Sequence, residues 1–354
     1  MNQRQLHDKL KTELSSIGLK ATKAQLNNIA YWCQSFAFSS SSHLASLVTQ
    51  LPLEGQRENL VQRFRRFLKN ETLKPAVCFA PMVSHTLKKW PHKDVCLVMD
   101  RTDIKNRWSI LMVGPAYKKR VLPLAWQLLP FGGTNCETQI KLLERLRPHI
   151  PAEKRVTYLG DSEFRAVGLQ TYCRDKDWHW QVGVKGDTWC RTSEGQWHKL
   201  ADLSVLKGER RYLSQIYLTK SDPFGPVNLI ADWTTAHDSP RFWVLDLPAS
   251  MQAWRRGRKR FWIEPTFRDW KSYGFDIEAV KIDHIDRLDK LMLTVCLSTL
   301  WMLHVGDWVC THGYAHLIAP PHKHDYSLFR IGRDFLQRCR SLNWRIPVGM
   351  TVSG

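Results

Sequence analysis

DVCLVMD, residues Asp94 to Asp100, is a short apolar run that closes on an aspartate. A run of that length with polar residues on either side reads as a buried strand, with the Asp100 carboxylate exposed where the strand gives out. WSILMVGPAY (108–117) and RVLPLAWQLL (120–129) follow as two more strand-like segments, which suggests a meander. TNCETQIKLLERLRPHI (134–150) then reads as a helix, with Thr134 at its N-cap and Glu137 completing a capping box. RVTYLGD (155–161) is a fourth strand ending on Asp161, EFRAVGLQTYCRDKD (163–177) a second helix and WHWQVGVK (178–185) a fifth strand. The order β-β-β-α-β-α-β describes an α/β mixed sheet flanked by helices. Active sites in such sheets gather at the carboxyl ends of strands, where Asp100 and Asp161 are both expected.

On the N-terminal side, Leu6, Leu10, Leu14 and Ile17, then Leu26, Ile29, Ala30 and Cys33, recur at three- and four-residue steps and predict amphipathic helices. ENLVQRFRRFLKN (58–70) puts Leu60, Phe64, Phe67 and Leu68 on one face and Arg63, Arg65, Arg66 and Lys69 elsewhere, so Arg63 and Arg66 are candidate DNA contacts. On the C-terminal side, 186–240 changes to Gly/Ser/Asp punctuation with short strands, a β-rich insertion. RFWVLDL (241–247) is one more strand, Met251 to Tyr273 is helical and basic, and Asp286 to Val309 is a long apolar helix. The organisation expected is a helical DNA-binding region at 1–85, a sheet core at 86–185 and 241–310, the insertion between them, and a basic tail at 311–354.

The apolar run LMLTVCLSTLWML (291–303) falls short of the roughly 20 residues that span a bilayer and reads as a buried helix. MNQRQLHDKLKTEL lacks the apolar block of a secretory signal, and the 9 cysteines are odd in number without a Cys-x-x-Cys pair. Both features point to the reducing cytoplasm, with no membrane partner.

The chain carries 52 Lys and Arg against 33 Asp and Glu, a formal charge of +19, which makes nucleic acid the leading partner. In RRGRKRFWIEPTFRDWKS (255–272) one glutamate, Glu264, lies among basic residues. Carboxylates converging beside positive charge suit magnesium, a hard cation that takes oxygen ligands and completes its shell with substrate phosphate. A pair of such ions would serve in-line displacement at a phosphodiester. On a continuous helix Arg260 and Lys271 would share the face of Glu264 as phosphate clamps, with Arg268 nearby on the same segment. Pro265 means either that this helix kinks or that a new one starts there, with Glu264 near its positive end.

Jointly, VMDRTDI, LGDSEF and IEPTFRDWKS resemble the DDE transposases of bacterial insertion sequences, in the group with a Tyr-x2-Arg-x3-Glu-x6-Lys signature. Arg260, Glu264 and Lys271 match three signature positions in register; the fourth, a Tyr in that group, is Gly257 here. The resemblance implies an RNase H-like core interrupted by a β-rich insertion. Asp100, Asp161 and Glu264 would be its metal-binding catalytic triad, using Mg2+ with Mn2+ as a substitute. It implies cut-and-paste transposition by a homodimer on paired terminal inverted repeats, followed by joining to target DNA, in a bacterial cytoplasm and at the nucleoid when DNA-bound. In several members the freed 3′-OH makes a hairpin and a nearby base flips out, contacted by the signature Tyr and Arg. Gly257 removes that Tyr contact, and Trp233 or Tyr217 of the insertion is an alternative stacking residue.

Two other functions fit the same residues: a nuclease with this core that never joins strands, and a catalytically silent DNA-binding protein. Asp103 and Asp269 read as caps or local salt-bridge partners rather than ligands. His304, Cys310, His312, His316, His322 and His324 offer zinc donors, but without paired cysteines and with Gly313, Pro320 and Pro321 between them a loop is the better reading.

Overall fold

The computed structural model describes residues 1–192, 195–234, 237–279, 281–320 and 326–352. Its N-terminal helices are α1 (Gln3–Ser16), α2 (Lys23–Phe38), α3 (Leu44–Leu47), α4 (Arg57–Leu68) and α5 (Pro75–Lys88). Capping boxes start the first two, Asn2 with Gln5 and Thr22 with Gln25. Trp32 of α2 stacks on Phe64 of α4 with ring centroids 4.1 Å apart, and Phe36 meets Phe275. These helices therefore share one continuous apolar core with the rest of the chain.

Four strands follow: β1 (Asp94–Ile104), β2 (Trp108–Tyr117), β3 (Arg120–Val121) and β4 (Ala125–Pro130). The segment expected as one strand at 120–129 is two, because Pro123 cannot donate to a ladder. Leu122 then presses on Gly114, where any Cβ would lie 1.7 Å from the Leu122 carbonyl oxygen. Then come α6 (Cys136–Leu146), β5 (Arg155–Gly160), α7 (Val167–Asp175) and β6 (His179–Val184). The cap of α6 is Asn135, whose side chain accepts from Thr138 N, not Thr134. Thr134 instead donates from its N–H and hydroxyl to Glu163.

Strands β7 (Trp189–Arg191), β8 (Trp197–Lys199), β9 (Arg210–Leu218) and β10 (Phe224–Asp232) make up the inserted region, and β11 (Arg241–Leu245) returns to the core. All described strands belong to one 11-stranded sheet in the order β3-β2-β1-β5-β6-β11-β10-β9-β7-β8, with β4 also on β2. Because β11 pairs with both β6 and β10, the inserted strands extend the core sheet. Helices α8 (Met251–Gly257), α9 (Ile263–Trp270), α10 (Ile285–Thr311) and α11 (Leu328–Ser341) complete the chain. At 27 residues α10 is longer than its apolar run and long and apolar enough to cross a membrane. In the fold it is mostly buried, packed on α2, α4, α5 and α11.

The sheet positions the site through one local mismatch. β1 runs antiparallel to β2 over Leu97 to Ile104, but parallel to β5 only over Asp94–Val98. Asp100 is thus not at the end of its strand, which continues to Ile104. It lies just past the point where β5 stops pairing, and Asp161 follows the last residue of β5 at that same opening.

Candidate active site

Asp100, Asp161 and Glu264 meet around a single guanidinium. Arg260 Nη2 lies 2.9 Å from Asp161 Oδ2 and 3.7 Å from Asp100 Oδ2, while Nη1 lies 2.8 Å from Glu264 Oε1. The two aspartates are also fixed locally. Asp100 Oδ1 accepts from the Arg101 N–H at 2.7 Å, and Asp161 Oδ1 from the Glu163 N–H at 2.8 Å, where it caps the 3-10 turn Ser162–Phe164.

Glu264 reaches them along a broken helical path. α8 passes into a 3-10 turn, Arg258–Trp262, and α9 then begins with Glu264 and Pro265 in its first turn. Pro265 has no N–H and its ring crowds the carbonyl four residues back, so the path tightens over Phe261 and restarts. A new helix does start here, but at Ile263 and not at Pro265, which places Glu264 in the first turn of α9, near its positive end.

One arginine against three carboxylates leaves the cluster two charges short. Burial pushes the Asp100 carboxyl up to about 6, against the opposing pull of Arg260 and the Arg101 N–H; Asp161 and Glu264 raise it further. Oxygen donors from three elements, converging on a cation and holding excess negative charge, fit a divalent metal, with the guanidinium standing in its place. The carboxylates are spread around that guanidinium. Among the described residues no three His, Cys, Asp or Glu side chains are gathered closely enough to hold an ion as they stand. Arg260 would have to withdraw for them to close on one.

The other signature positions are placed differently from the helical-face expectation. Lys271 caps the end of α9 and does not continue it. Its Nζ donates to the Asp103 carbonyl at 2.6 Å and pairs with Glu278, so it ties α9 to the far end of β1 and does not stand on the face of Glu264. Gly257 faces the sheet: a Cβ there would lie 2.1 Å from Gln181 Nε2, and both amide atoms of the buried Gln181 lack hydrogen-bond partners. A tyrosine at this position would require the Gln181 side chain to move aside.

Arg268 is exposed one turn beyond Glu264. Arg66 is also exposed, whereas Arg63 donates from Nε to Asn28 at 2.8 Å and covers the Tyr31 ring, so α2 holds it. Asp103 pairs with Arg101 at 2.5 Å and accepts from Ser109, as expected of a salt-bridge partner. Asp269 pairs with the buried Arg120, far away in sequence, and not with a local helix neighbour. In the insertion, Tyr217 lies under Arg191 and Trp233 donates to the His237 carbonyl. His304, His312 and His316 each face a backbone carbonyl, and His322 and His324 lie outside the described residues.

Residue-by-residue reading missed Arg101 and Glu163. Arg101 bridges Asp103 and Glu163, and Glu163 holds the Thr134 loop, so the pair braces the backbone that carries Asp100 and Asp161. Their adjacency to the two aspartates was the available signal.

The family described as Transposase DDE domain matches residues 122–301, half of the chain, a span that contains Asp161 and Glu264 and begins after Asp100. No curated protein matches. Among solved structures the chain is similar to piggyBac transposase in a synaptic complex with hairpin DNA, at 9% identity and a TM-score of 0.49 over 96% of this chain and 78% of that one. It is also similar to Marinitoga piezophila Argonaute in complex with 5′ OH guide RNA, at 11% identity and a TM-score of 0.23 over 62% and 35%. Neither score is high enough to establish a shared fold.

Proposed function

The chain belongs to the transposase DDE family, and on that premise we propose that Asp100, Asp161 and Glu264 are its catalytic acids, acting with Mg2+, or Mn2+ in its place, in cut-and-paste transposition. The protein is a DNA transposase, and its +19 charge suits that substrate. The observation that carries the assignment is the convergence of acids from β1, the end of β5 and α9 on one cation. The strand order β3-β2-β1-β5-β6, three antiparallel strands and then two parallel, supports the RNase H-like reading of the core.

Divalent ions bound among these acids would supply charge neutralisation at the scissile phosphate and an activated attacking oxygen. The protein's own groups do the positioning. The Arg101 and Glu163 N–H groups each hold one oxygen of an aspartate, which leaves the other oxygen directed at the centre of the site. Arg260, displaced from the acids, stays within a side chain's reach of the same phosphate and can clamp it. Lys271 keeps α9 docked on β1 through Asp103. The Tyr-Arg-Glu-Lys grouping is supported by the register of Arg260, Glu264 and Lys271. A hairpin step would have to proceed without an aromatic at 257, and the paired-end homodimer follows from the need to coordinate two element ends.

The test is strand cleavage and joining in Mg2+ on DNA carrying the gene's own flanking sequence, native protein against Glu264→Gln. Discrete nicks whose 3′ ends join target DNA, lost in the variant while binding persists, are expected. Nicks that never join would make the protein a nuclease, and cutting that survives in Glu264→Gln would remove Glu264 from the triad.

A further inference from the structure

Beside the triad lies a cleft of about 750 Å³ between α9, α11 and the β2–β3 turn. We propose that this cleft binds an unpaired DNA strand, holding the bases by stacking and the backbone by arginine. Its placement next to the cleavage site rests on the triad assignment; its capacity to bind does not.

Charge selects the class of ligand. Lys119, Arg268, Arg330 and Arg333 line the cleft, and Asp334, between Arg330 and Arg333, is the one lining carboxylate that faces them. The other acid, Asp269, is buried beneath Arg120 and closes the floor. The surplus is positive and opens to solvent, as a backbone-tracking groove requires.

The aromatic residues select an unpaired strand over a duplex. Trp262, Tyr273 and Tyr326 stand among those cations, and Tyr273 is 69% exposed, an unusual position for a large ring with no packing role. Its backbone carbonyl is held by Arg333 Nη1 at 3.0 Å, and Arg330 lies over the Tyr326 ring at 4.1 Å. Arginines thus hold the Tyr273 backbone and one face of Tyr326, and the exposed Tyr273 ring is the platform left for a nucleobase. A duplex, with its bases stacked inside, would leave those ring faces unused.

The β2–β3 turn points the same way. It is a two-residue turn with both positions at positive φ, where Asn-Gly would be favoured, and it carries Lys118 (φ 40°) and Lys119 (φ 66°). Lys118 pairs with Asp307, and Lys119 is the turn's contribution to the cleft. A lysine stands here in a backbone conformation that disfavours it, and its charge lines the cleft.

The cleft also lies where a strand in the active site would pass. Arg268 is four residues after Glu264 and shares its side of α9, and Pro265 and Trp262 carry the wall round the helix.

The experiment measures binding to an oligodeoxythymidylate containing one 2-aminopurine and, separately, to a duplex, without divalent metal. Tyr273→Ala is expected to weaken single-strand binding about five-fold or more and to relieve 2-aminopurine quenching, with duplex binding unchanged and Tyr273→Phe restoring both. Tyr273 packs against nothing that folding needs, so the variant should fold. Lys119→Gly relaxes the turn and should leave thermal stability equal or higher while single-strand affinity falls. Equal losses on both DNAs, or none on either, would overturn the proposal. Failure of the triad assignment would show elsewhere, as cleavage that survives Glu264→Gln.

Discussion

Two basic helical segments of this protein look alike in sequence and are used differently. In α4, Arg57 donates to the Ala45 carbonyl of α3 and Arg63 to Asn28 of α2, so two of its arginines fasten the N-terminal helices to one another, while Arg65 pairs with Glu58 on α4 itself. In the segment from α8 to α9, Arg260 reaches acids from β1 and β5 that lie far away in sequence. Charge spacing along a helix says where cations stand, and only the fold says which anions they meet. The segment that gathers acids from other elements is the one proposed to form the site.

The sharpest way to break this contrast is to remove the central arginine. Arg260→Gln leaves three carboxylates facing one another, one of them buried, and should destabilise the DNA-free protein by about 3 kcal/mol, in the range for breaking a buried ion pair. Mg2+ should then raise the melting temperature of the variant more than that of the native protein, because its acids no longer have to exchange a guanidinium for the ion. Arg63→Gln, which removes one hydrogen bond and a ring contact, should cost about 1 kcal/mol and show no added response to Mg2+. Equal magnesium responses in the two variants would refute the stand-in role of Arg260.

Asp100 gives the next largest effect. Its carboxyl titrates at about 6 in the folded protein against an ordinary value near 3.8, so between those pH values the native state binds more protons than the unfolded one. Stability without metal should therefore decline as pH rises from 4 to 6, by roughly 2 to 3 kcal/mol from this group alone. Asp100→Asn should flatten that decline in a denaturant titration series. A slope unchanged by the substitution would mean that other groups carry it.

The order of elements along the chain and both aspartates were legible because local apolar runs end in ways that survive folding: DVCLVMD and RVTYLGD become β1 and β5, and their acids do meet. What was not legible depends on contacts between segments distant in the chain. The extension of β1 to Ile104 comes from its pairing with β2, which a polar DRTD sequence does not announce. Lys271 left the face of Glu264 because α9 ends at Trp270 and Asp103 offers a carbonyl. The inserted strands continue the core sheet because β10 finds the free edge of β11. Arg260 was readable as a clamp, but its partners in the folded chain were not.

Gly257 tests whether the segment's close approach to the sheet is a built feature. Gly257→Ala should gain helix propensity yet destabilise by about 1 kcal/mol, since its Cβ meets the buried Gln181. With Gln181 shortened to Ala the same substitution should become neutral or stabilising. A thermodynamic cycle without coupling would mean that the segment simply shifts away from β6.

The smallest effect discriminates most finely between the two basic segments. Arg268 and Arg66 are both exposed, while Arg63 is held by α2, so the substitutions Arg268→Ala, Arg66→Ala and Arg63→Ala sample three situations on two helices. An arginine that touches a DNA phosphate releases about one counterion, and its loss lowers the slope of log affinity against log salt by about 0.9. That drop is expected for Arg268→Ala, beside the triad. Arg63→Ala should leave the slope as it is, since Asn28 and Tyr31 already engage its guanidinium. Arg66→Ala then reports on α4 itself. A drop equal to that of Arg268→Ala would make α4 a DNA-facing helix through its exposed Arg66, and no drop would leave α4 as scaffold, with the DNA path running over α9.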